Sequence, residues 1–202
     1  MKIPQGYKQT ELGIIPEEWE VVKLGNLGVT YTGLSGKRKC DFGWGSAKYI
    51  PFLNILNNPQ IDIDDLEYVN IMPNEVQNAV QNGDLFFNTS SETPEEVGMC
   101  SVLTNKIENT YLNSFCFGYR LFDNNEAVGI FLSYYFRSAV GRVLMSVLAQ
   151  GATRYNLAKT TFLESTIALP PIEEQRRIAE ALSNVDALIA ALDKKIAKKT
   201  PY

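Results

Sequence analysis

Histidine is absent from this chain of 202 residues. Its absence removes the usual general base, the commonest ligand of transition metals, and every Ser-His or Cys-His nucleophile arrangement. Most hydrolase mechanisms are therefore excluded. We predict a protein that catalyses no reaction and holds no cofactor or metal of its own.

Cysteine is scarce, and its positions follow no spacing that would form a site. Cys40, Cys100 and Cys116 are odd in number and include no CxxC pair. A disulfide framework needs paired cysteines, and a structural zinc site usually needs ligands at short, regular spacings. We therefore expect three reduced thiols in a cytoplasmic protein.

Long hydrophobic runs are also missing. No stretch approaches the roughly 20 apolar residues that cross a bilayer, and residues 1–6 contain no apolar run after the lysine. We expect a soluble chain that is not exported and binds no membrane. The formal net charge of -4 argues against a general polyanion binder, because non-specific DNA affinity comes from Lys and Arg that neutralise phosphates.

What is present predicts one α+β domain followed by a long C-terminal helix. With 45% hydrophobic residues, a chain of this length can bury one substantial core. Short β-branched and aromatic runs bounded by Gly, Asn, Asp or Pro predict strands of one mixed sheet. These runs are residues 49–53, 84–87, 99–103, 115–122 and 166–169.

Residues 130–148 carry apolar side chains at helical spacing. The spacing predicts one continuous helix that packs against the sheet. Its predicted core residues include Val140, Val143 and Val147.

Two further segments have weaker local signals. Residues 74–81, ended by Asn82-Gly83, are a candidate short helix. Residues 33–45 are rich in glycine and contain three consecutive basic residues. That composition predicts a flexible, basic loop.

A long helix is predicted over residues 172–198, after two prolines. Large apolar residues recur there at alternating spacings of four and three, as in a coiled-coil seam. Acidic residues in the first turn and lysines in the last also favour the helix. The helix would span roughly 40 Å, more than a domain of this size offers as a flat contact, so part of it should pair with another helix. The predicted helix-pairing residues are Ile178, Leu182, Val185, Ile189, Leu192 and Ile196.

Basic, aromatic and short polar side chains are the candidate nucleic-acid contacts. Lys and Arg bind phosphates, Arg can donate two hydrogen bonds to guanine, and hydroxyl side chains can read base edges. Residues 88–98 are rich in such hydroxyls, although this composition fits a plain turn equally well. We expect the candidates to lie in loops. They are Lys37, Arg38, Lys39, Lys48, Ser90, Ser91, Glu92, Thr93, Arg154 and Tyr155.

Several segments taken together resemble the specificity subunits of type I restriction-modification systems. They are residues 19–27, 84–98, 151–153 and 169–179. The last segment is the specific one, because its proline pair, acidic pair and glutamine stand in that order directly before the heptad helix. The resemblance covers nearly the whole chain.

The resemblance implies a division of the chain into two parts. Residues 1–168 look like a target-recognition domain that reads one half of a split double-stranded DNA sequence. Residues 169–202 look like the conserved spacer helix of the family. Family members lack catalytic residues. They bind a methyltransferase subunit, which carries S-adenosylmethionine chemistry, and through it a DNA-translocating restriction subunit, so ATP and Mg²⁺ are also expected only on partners.

The chain departs from the family pattern in having one recognition domain and one spacer helix, where the typical subunit has two of each. We expect either part of a longer subunit or a half-subunit that pairs with itself. An antiparallel pair of spacer helices would separate two recognition domains by about 40 Å, close to one turn of DNA. The acidic balance predicts weak, shallowly salt-dependent DNA binding by the chain alone, with the methyltransferase partner supplying most phosphate contacts.

Two other classes of function stay open on the sequence. A protein-interaction adaptor would display a binding domain on the coiled coil, show no DNA preference, and tolerate substitution of residues 37–39. An enzyme that uses the carboxylates of Asp62, Asp64 and Glu67 would need a pocket that holds one acid protonated. Alternating acids on a surface strand are usually solvated, so the enzyme is the weakest of the three hypotheses.

Overall fold

The computed structural model describes residues 3–123 and 126–199. Its strands are β1 (Tyr7–Thr10), β2 (Gly13–Pro16), β3 (Glu20–Lys23), β4 (Gly28–Thr32), β5 (Phe42–Ile50), β6 (Glu67–Val69), β7 (Leu85–Asn88), β8 (Ser90–Ser91), β9 (Cys100–Val102), β10 (Thr110–Leu112), β11 (Cys116–Leu121), β12 (Tyr155–Asn156) and β13 (Thr166–Leu169). Its α-helices are α1 (Leu24–Leu27), α2 (Phe52–Asn57), α3 (Gly129–Arg137), α4 (Ala139–Leu148), α5 (Lys159–Glu164) and α6 (Ile172–Lys199).

An antiparallel sheet in the order β4-β11-β7-β9 lies at the centre of the domain. Phe87 on β7 stands opposite Phe117 on β11, and the two rings stack at 5.2 Å. Phe162 on α5 packs against both rings at 4.9 and 5.4 Å. Phe86 points to the other face, where it joins a second buried cluster. Aromatic residues therefore fill the space on both faces of this sheet.

A second sheet, in the order β10-β5-β6, is mixed, since β10 runs parallel to β5 and β6 runs antiparallel. Phe42 and Ala47 both pair with Val69, so residues 43–46 form a bulge in β5. Gly45 in this bulge has φ +105°, and a Cβ there would lie 2.7 Å from the carbonyl oxygen of Val69. The bulge therefore requires glycine at this position.

Three two-stranded ladders complete the fold. They pair β1 with β2, β3 with β13, and β8 with β12, all antiparallel. The α+β class is confirmed, but the strands are divided among several sheets and not united in one.

Residues 130–148 form two helices, so the prediction of one continuous helix is wrong. Ser138 separates them and caps α4, because its hydroxyl accepts a hydrogen bond from the backbone nitrogen of Gly141 at 3.3 Å. The break leaves Val140, Val143 and Val147 exposed at 65%, 65% and 76%. These three valines were expected in the core and lie on the surface.

Residues 74–81 contain no helix, which corrects a second prediction. The side chain of Gln77 accepts a hydrogen bond from the backbone nitrogen of Ser35 at 3.1 Å, and Asn78 donates one to the carbonyl of Thr32 at 3.1 Å. Val80 is buried in the second core cluster. These distant contacts outweigh a helix preference that no apolar periodicity supported.

The 28-residue helix α6 is the long helix that the heptad spacing predicts. At 1.5 Å per residue it is about 42 Å long. Its first half contains the buried residues Gln175 and Ala179, whereas every described side chain from 187 to 198 is exposed. Across residues 3–123 and 126–199, no helix combines the length and apolar character that crossing a membrane requires.

Candidate DNA interface and helix-pairing surface

The ladder of β8 and β12 brings together two candidate segments that lie far apart in sequence. Ser91 pairs with Tyr155, and Ser90 pairs with Asn156. Arg154 is exposed directly before this ladder. We name the set of predicted contacts at this place the β8–β12 surface. It comprises Ser90, Ser91, Glu92, Thr93, Arg154 and Tyr155.

Asn88, which is fully buried, anchors the loop that follows β8. The Asn88 amide donates to the carbonyl oxygen of Glu96 at 2.9 Å and accepts from the backbone nitrogen of Met99 at 2.6 Å. At the surface, the Ser91 hydroxyl donates to the Glu96 carboxylate at 2.8 Å. The composition of residues 88–98 fits both a plain polar turn and a recognition loop. The hydrogen bonds of Asn88 and Ser91 hold this loop in one defined conformation.

Arg142 on α4 also binds this loop. Its guanidinium donates to the carbonyl oxygens of Glu95 at 2.8 Å and Gly98 at 2.9 Å, and it also contacts that of Val97. Burial lowers the pKa of Arg142, although a guanidinium remains charged at any physiological pH. Among the hydrogen bonds of the described residues, the partners of this cation are backbone carbonyls and not a carboxylate. No pattern in the sequence indicated this role.

Lys37 is enclosed, in contrast to the free basic loop that was expected. Its side chain is 2% exposed, its Nζ contacts the Glu75 carboxylate, and it donates to the carbonyl oxygen of Asn70 at 2.6 Å. These contacts hold the Lys37 ammonium inside the protein, and the DNA contact predicted for it stays a prediction. Arg38 and Lys39 beside it are exposed.

Lys48 lies on β5 and not in a loop, and its Nζ stands 5.8 Å from the centre of the Tyr68 ring. Trp44, in the bulge of the same strand, is 55% exposed, and its indole donates to the carbonyl oxygen of Cys40 at 2.7 Å. Neither Trp44 nor Tyr68 was among the contacts predicted from the sequence. Trp44 had a signal, since it stands between two glycines in a basic segment. The bulge surface, as we name it, comprises Arg38, Lys39, Trp44, Lys48 and Tyr68.

An open groove of about 470 Å³ lies between β5 and the segment that contains Phe115. The carbonyl of Phe115, at one wall, accepts hydrogen bonds from the backbone nitrogen and the hydroxyl of Thr89, at 3.0 and 2.7 Å. Thr89 directly precedes β8, so this wall of the groove is joined to the β8–β12 surface. Apolar walls of this kind suit contact with thymine methyl groups. The walls include Phe42, Tyr49, Phe52, Leu53 and Phe115.

The carboxylates of the enzyme hypothesis form no enclosed acidic site. Asp62, Asp64 and Glu67 are exposed. Asp62 accepts a hydrogen bond from the backbone nitrogen of Asp64 at 3.0 Å, as in a local turn, and Glu67 is bound by the hydroxyl of Tyr49. Among the residues that the structure describes, no group of three or more His, Cys, Asp or Glu could hold a metal ion.

The base of α6 is fastened to the domain by polar contacts. Gln175 is fully buried; its amide accepts from the backbone nitrogen of Val128 at 2.9 Å and donates to the carbonyl of Pro170 at 2.8 Å. The Trp19 indole donates to Glu174 at 3.2 Å. The glutamine and the acid that precedes it in the specific segment are therefore structural anchors.

The predicted seam divides into two parts. Ile178 is partly buried against the main core. Leu182, Val185, Ile189 and Leu192 are exposed by 39 to 53%, and Ile196 by 63%. Leu188 lies beside them at 61% exposure. A contiguous apolar stripe on a projecting helix is typical of a helix-pairing surface, and the pairing itself stays a prediction.

An α+β domain with polar and basic loops, followed by a long helix with an apolar seam, is typical of a recognition module. Comparison with known proteins defines it further. Residues 16–199 match the family described as type I restriction modification DNA specificity domain. The match extends over the candidate surfaces and the whole of α6. The chain belongs to this family, whose members are non-catalytic recognition components.

Individual relatives agree with the family. The putative type I restriction enzyme MjaX specificity subunit of Methanocaldococcus jannaschii is 29% identical in an alignment 201 residues long, which covers 95% of this chain and 45% of that protein. The HsdS subunit of Thermoanaerobacter tengcongensis has a similar fold, with a TM-score of 0.60 at 19% identity over 95% of this chain and 43% of that one. The chain spans less than half the length of either protein.

A third comparison concerns a chain solved in work on complex assembly and conformational transition of the type I R-M system. It has a TM-score of 0.62 at 20% identity, over 91% of this chain and 42% of that one. At such identities the likeness shows the fold.

Proposed function

We propose that this chain reads one half of a bipartite DNA target for a type I restriction-modification complex. Residues 1–168 are the target-recognition domain, and residues 169–202 are the spacer helix that sets the distance to a second recognition domain. The observation that carries this proposal is the family match over residues 16–199, which includes both parts.

The bulge surface and the β8–β12 surface are the DNA-reading surfaces in this proposal. Arg38, Lys39 and Lys48 supply cations for phosphates or guanine edges, and Arg154 supplies a fourth on the β8–β12 surface. The hydroxyls of Ser90, Ser91 and Thr93 can read base edges. Support comes from the rigid loop behind them, because a defined loop holds its polar groups in one arrangement for a given sequence.

The net charge of -4 limits what the isolated chain can do. Few phosphate contacts mean weak binding with a shallow dependence on salt. We infer that a methyltransferase subunit supplies most phosphate contacts and binds S-adenosylmethionine, and that a restriction subunit joining through it uses ATP and Mg²⁺. The match to the type I restriction modification DNA specificity domain family supports such partners.

The spacer helix sets the distance between two recognition domains. Two α6 helices paired antiparallel place their domains at opposite ends of a rod about 42 Å long, close to the 34–36 Å of one DNA turn. A parallel pair would place both domains together and lose this spacing. Distances between spin labels near residues 174 and 194 of two copies distinguish the two arrangements.

The decisive experiment co-expresses the chain with a type I methyltransferase subunit of the same genome and maps adenine methylation by single-molecule sequencing. Methylation at an interrupted palindrome is the expected result, because two identical domains must read identical half-sites. A stable complex without methylation would mean that a different second half is needed. Failure to form any complex would favour a protein-interaction adaptor.

A matched pair of variants tests the DNA surface in the same assay. Arg38→Ala with Lys39→Ala should reduce methylation without dissociating the complex. Arg176→Ala with Arg177→Ala removes two exposed cations from α6 and should leave the methylated sequence unchanged. Equal methylation by both variants would show that Arg38 and Lys39 of the bulge surface do not contribute to DNA recognition.

A further inference from the structure

Trp44 is an exposed indole on the projecting part of β5. It lies in the bulge of residues 43–46, all four of which are exposed, and its own exposure is 55%. Large aromatic side chains are usually well covered in a folded domain, because their burial is strongly favourable. The cations and hydroxyls that the proposed function assigns to DNA leave this indole without a role.

The nitrogen of the indole is not available to a base. Nε1 donates to the carbonyl oxygen of Cys40 at 2.7 Å, and an indole has no second polar group. The ring of Trp44 therefore offers only carbon atoms to a ligand. Such a surface can stack on a base, but it cannot read a base edge by hydrogen bonds.

The backbone around Trp44 is held in one conformation. Gly45 has no space for a side chain, since a Cβ there would lie 2.7 Å from the carbonyl oxygen of Val69 and 2.8 Å from Cα of Asn70. The backbone nitrogen of Asn70 also donates to the carbonyl oxygen of Asp41 at 2.7 Å, which fastens the start of the bulge to the residue after β6. A side chain that separates stacked base pairs needs a stiff support of this kind, because unstacking costs a few kcal/mol per step.

Cations stand on both sides of the indole in the sequence. Arg38 and Lys39 precede it and are exposed, and Lys48 follows it on the same strand. Asp41 is the one acid among residues 37–48, and its carboxylate accepts a hydrogen bond from the backbone nitrogen of Arg38 at 2.8 Å. This charge balance favours a polyanion as the partner of the ring.

We propose that Trp44 is a wedge that inserts its indole between two neighbouring base pairs of the DNA half-site. The inference rests on the proposed function and adds to it a residue that reads DNA through deformation of the duplex. Pyrimidine–purine steps are the easiest to unstack, so the domain prefers such a step at the place that Trp44 contacts. This preference is separate from the base edges that the cations and hydroxyls read.

The wedge is tested with the complex of the full chain and the methyltransferase subunit. The duplexes contain the half-site that the methylation map identifies, with 2-aminopurine in place of one adenine at a time, away from the methylated base. Fluorescence of 2-aminopurine rises when its neighbours unstack. We expect a rise at one step with the parent chain and loss of that rise with Trp44→Ala. No rise at any step with the parent chain would overturn the wedge.

Methylation kinetics give a second measurement. Trp44→Ala should lower kcat/KM for DNA at least about tenfold, because one base–aromatic contact contributes a factor of that order. Trp44→Phe keeps an apolar ring and should recover most of the loss. Phe122→Ala is the matched control, since Phe122 is an aromatic residue exposed at 45% outside the DNA-reading surfaces, and it should leave kcat/KM unchanged.

The outcomes separate this inference from the proposed function. If Trp44→Ala methylates DNA as fast as the parent, the wedge fails while DNA reading stands. If the substitution dissociates the complex, Trp44 faces the methyltransferase subunit and the wedge fails. If deoxyuridine in place of thymidine reproduces the loss without a 2-aminopurine signal, the ring contacts a thymine methyl group and the wedge also fails. A parent complex that binds no DNA would overturn both proposals.

Discussion

The hydroxyl of Tyr134 donates a hydrogen bond to Oδ2 of Asp186 at 2.7 Å. Asp186 lies halfway along α6, and Tyr134 lies on α3, so this contact sets the angle at which the second half of the helix leaves the domain. A fixed angle is what a helix needs if it is to hold two DNA-reading domains at a set distance.

Tyr134→Phe should therefore loosen the helix without unfolding the domain. Removal of one hydrogen bond to a carboxylate costs about 1 kcal/mol of unfolding free energy. Spin labels on the domain and on residue 194 should show a broader distance distribution in the variant. Tyr135→Phe is the control, because the described residues offer its hydroxyl no hydrogen-bond partner. The same broadening in both variants would contradict the role of the Tyr134 hydroxyl.

Gln175→Leu should be among the most destabilising substitutions in α6. The buried amide accepts from Val128 and donates to Pro170, and an apolar side chain leaves these backbone groups unsatisfied. We expect a decrease of about 2 to 3 kcal/mol in the free energy of unfolding, measured by urea denaturation. Gln150→Leu replaces an exposed glutamine and should change it by less than about 0.5 kcal/mol. Comparable decreases at both positions would contradict the anchoring role of Gln175.

Arg142→Met should release the loop at residues 93–98. Methionine fills much of the same space but gives no hydrogen bonds to the carbonyls of Glu95, Val97 and Gly98. Amide exchange in this loop should accelerate at least about tenfold, and the unfolding free energy should fall by about 2 kcal/mol. Arg177→Met, on the exposed face of α6, should change neither quantity. Unchanged exchange in the Arg142 variant would show that Asn88 is sufficient to hold the loop.

Substitution of Lys37 should lower stability, whereas substitution of Arg38 with Lys39 should weaken DNA binding. Lys37→Ala leaves Glu75, one-third exposed, without its cation, which should cost about 2 kcal/mol of unfolding free energy. Arg38→Ala with Lys39→Ala should leave stability within about 0.5 kcal/mol and weaken DNA binding by the methyltransferase complex. The slope of its affinity against salt should fall by about one for each phosphate that is no longer neutralised. A stable Lys37 variant with weakened binding would restore Lys37 as a DNA-binding residue.

The three thiols should differ in reactivity. Burial raises the pKa of Cys116 to about 12 and raises that of Cys100 as well. At pH 8 both groups stay protonated as well as shielded, whereas Cys40 is exposed. Ellman's reagent should label one thiol in the native chain and three in guanidinium. Cys40→Ser should leave no rapid labelling; residual fast reaction would mean that the core opens near β9 or β11.

The sequence alone determined the features that depend on local spacing. The seam of α6 was visible because a helix repeats every 3.6 residues, and its proline and acidic start marks a helix terminus irrespective of context. Several strands were visible as short aromatic runs between turn residues. The family was indicated by the order of residues 169–179.

Only the tertiary structure decided which side chains are buried, which are exposed, and which distant segments lie together. Lys37 and Lys39 are neighbours in sequence, yet one is locked by Glu75 and the other is exposed, because burial depends on a segment some 38 residues away. Val140 has core spacing but faces outward, since the cap at Ser138 turns α4. The joining of Ser91 with Tyr155 depends on strand pairing over a long loop of chain. Local periodicity carries no information about such pairings, because the contacts that fix them lie outside any window of neighbouring residues.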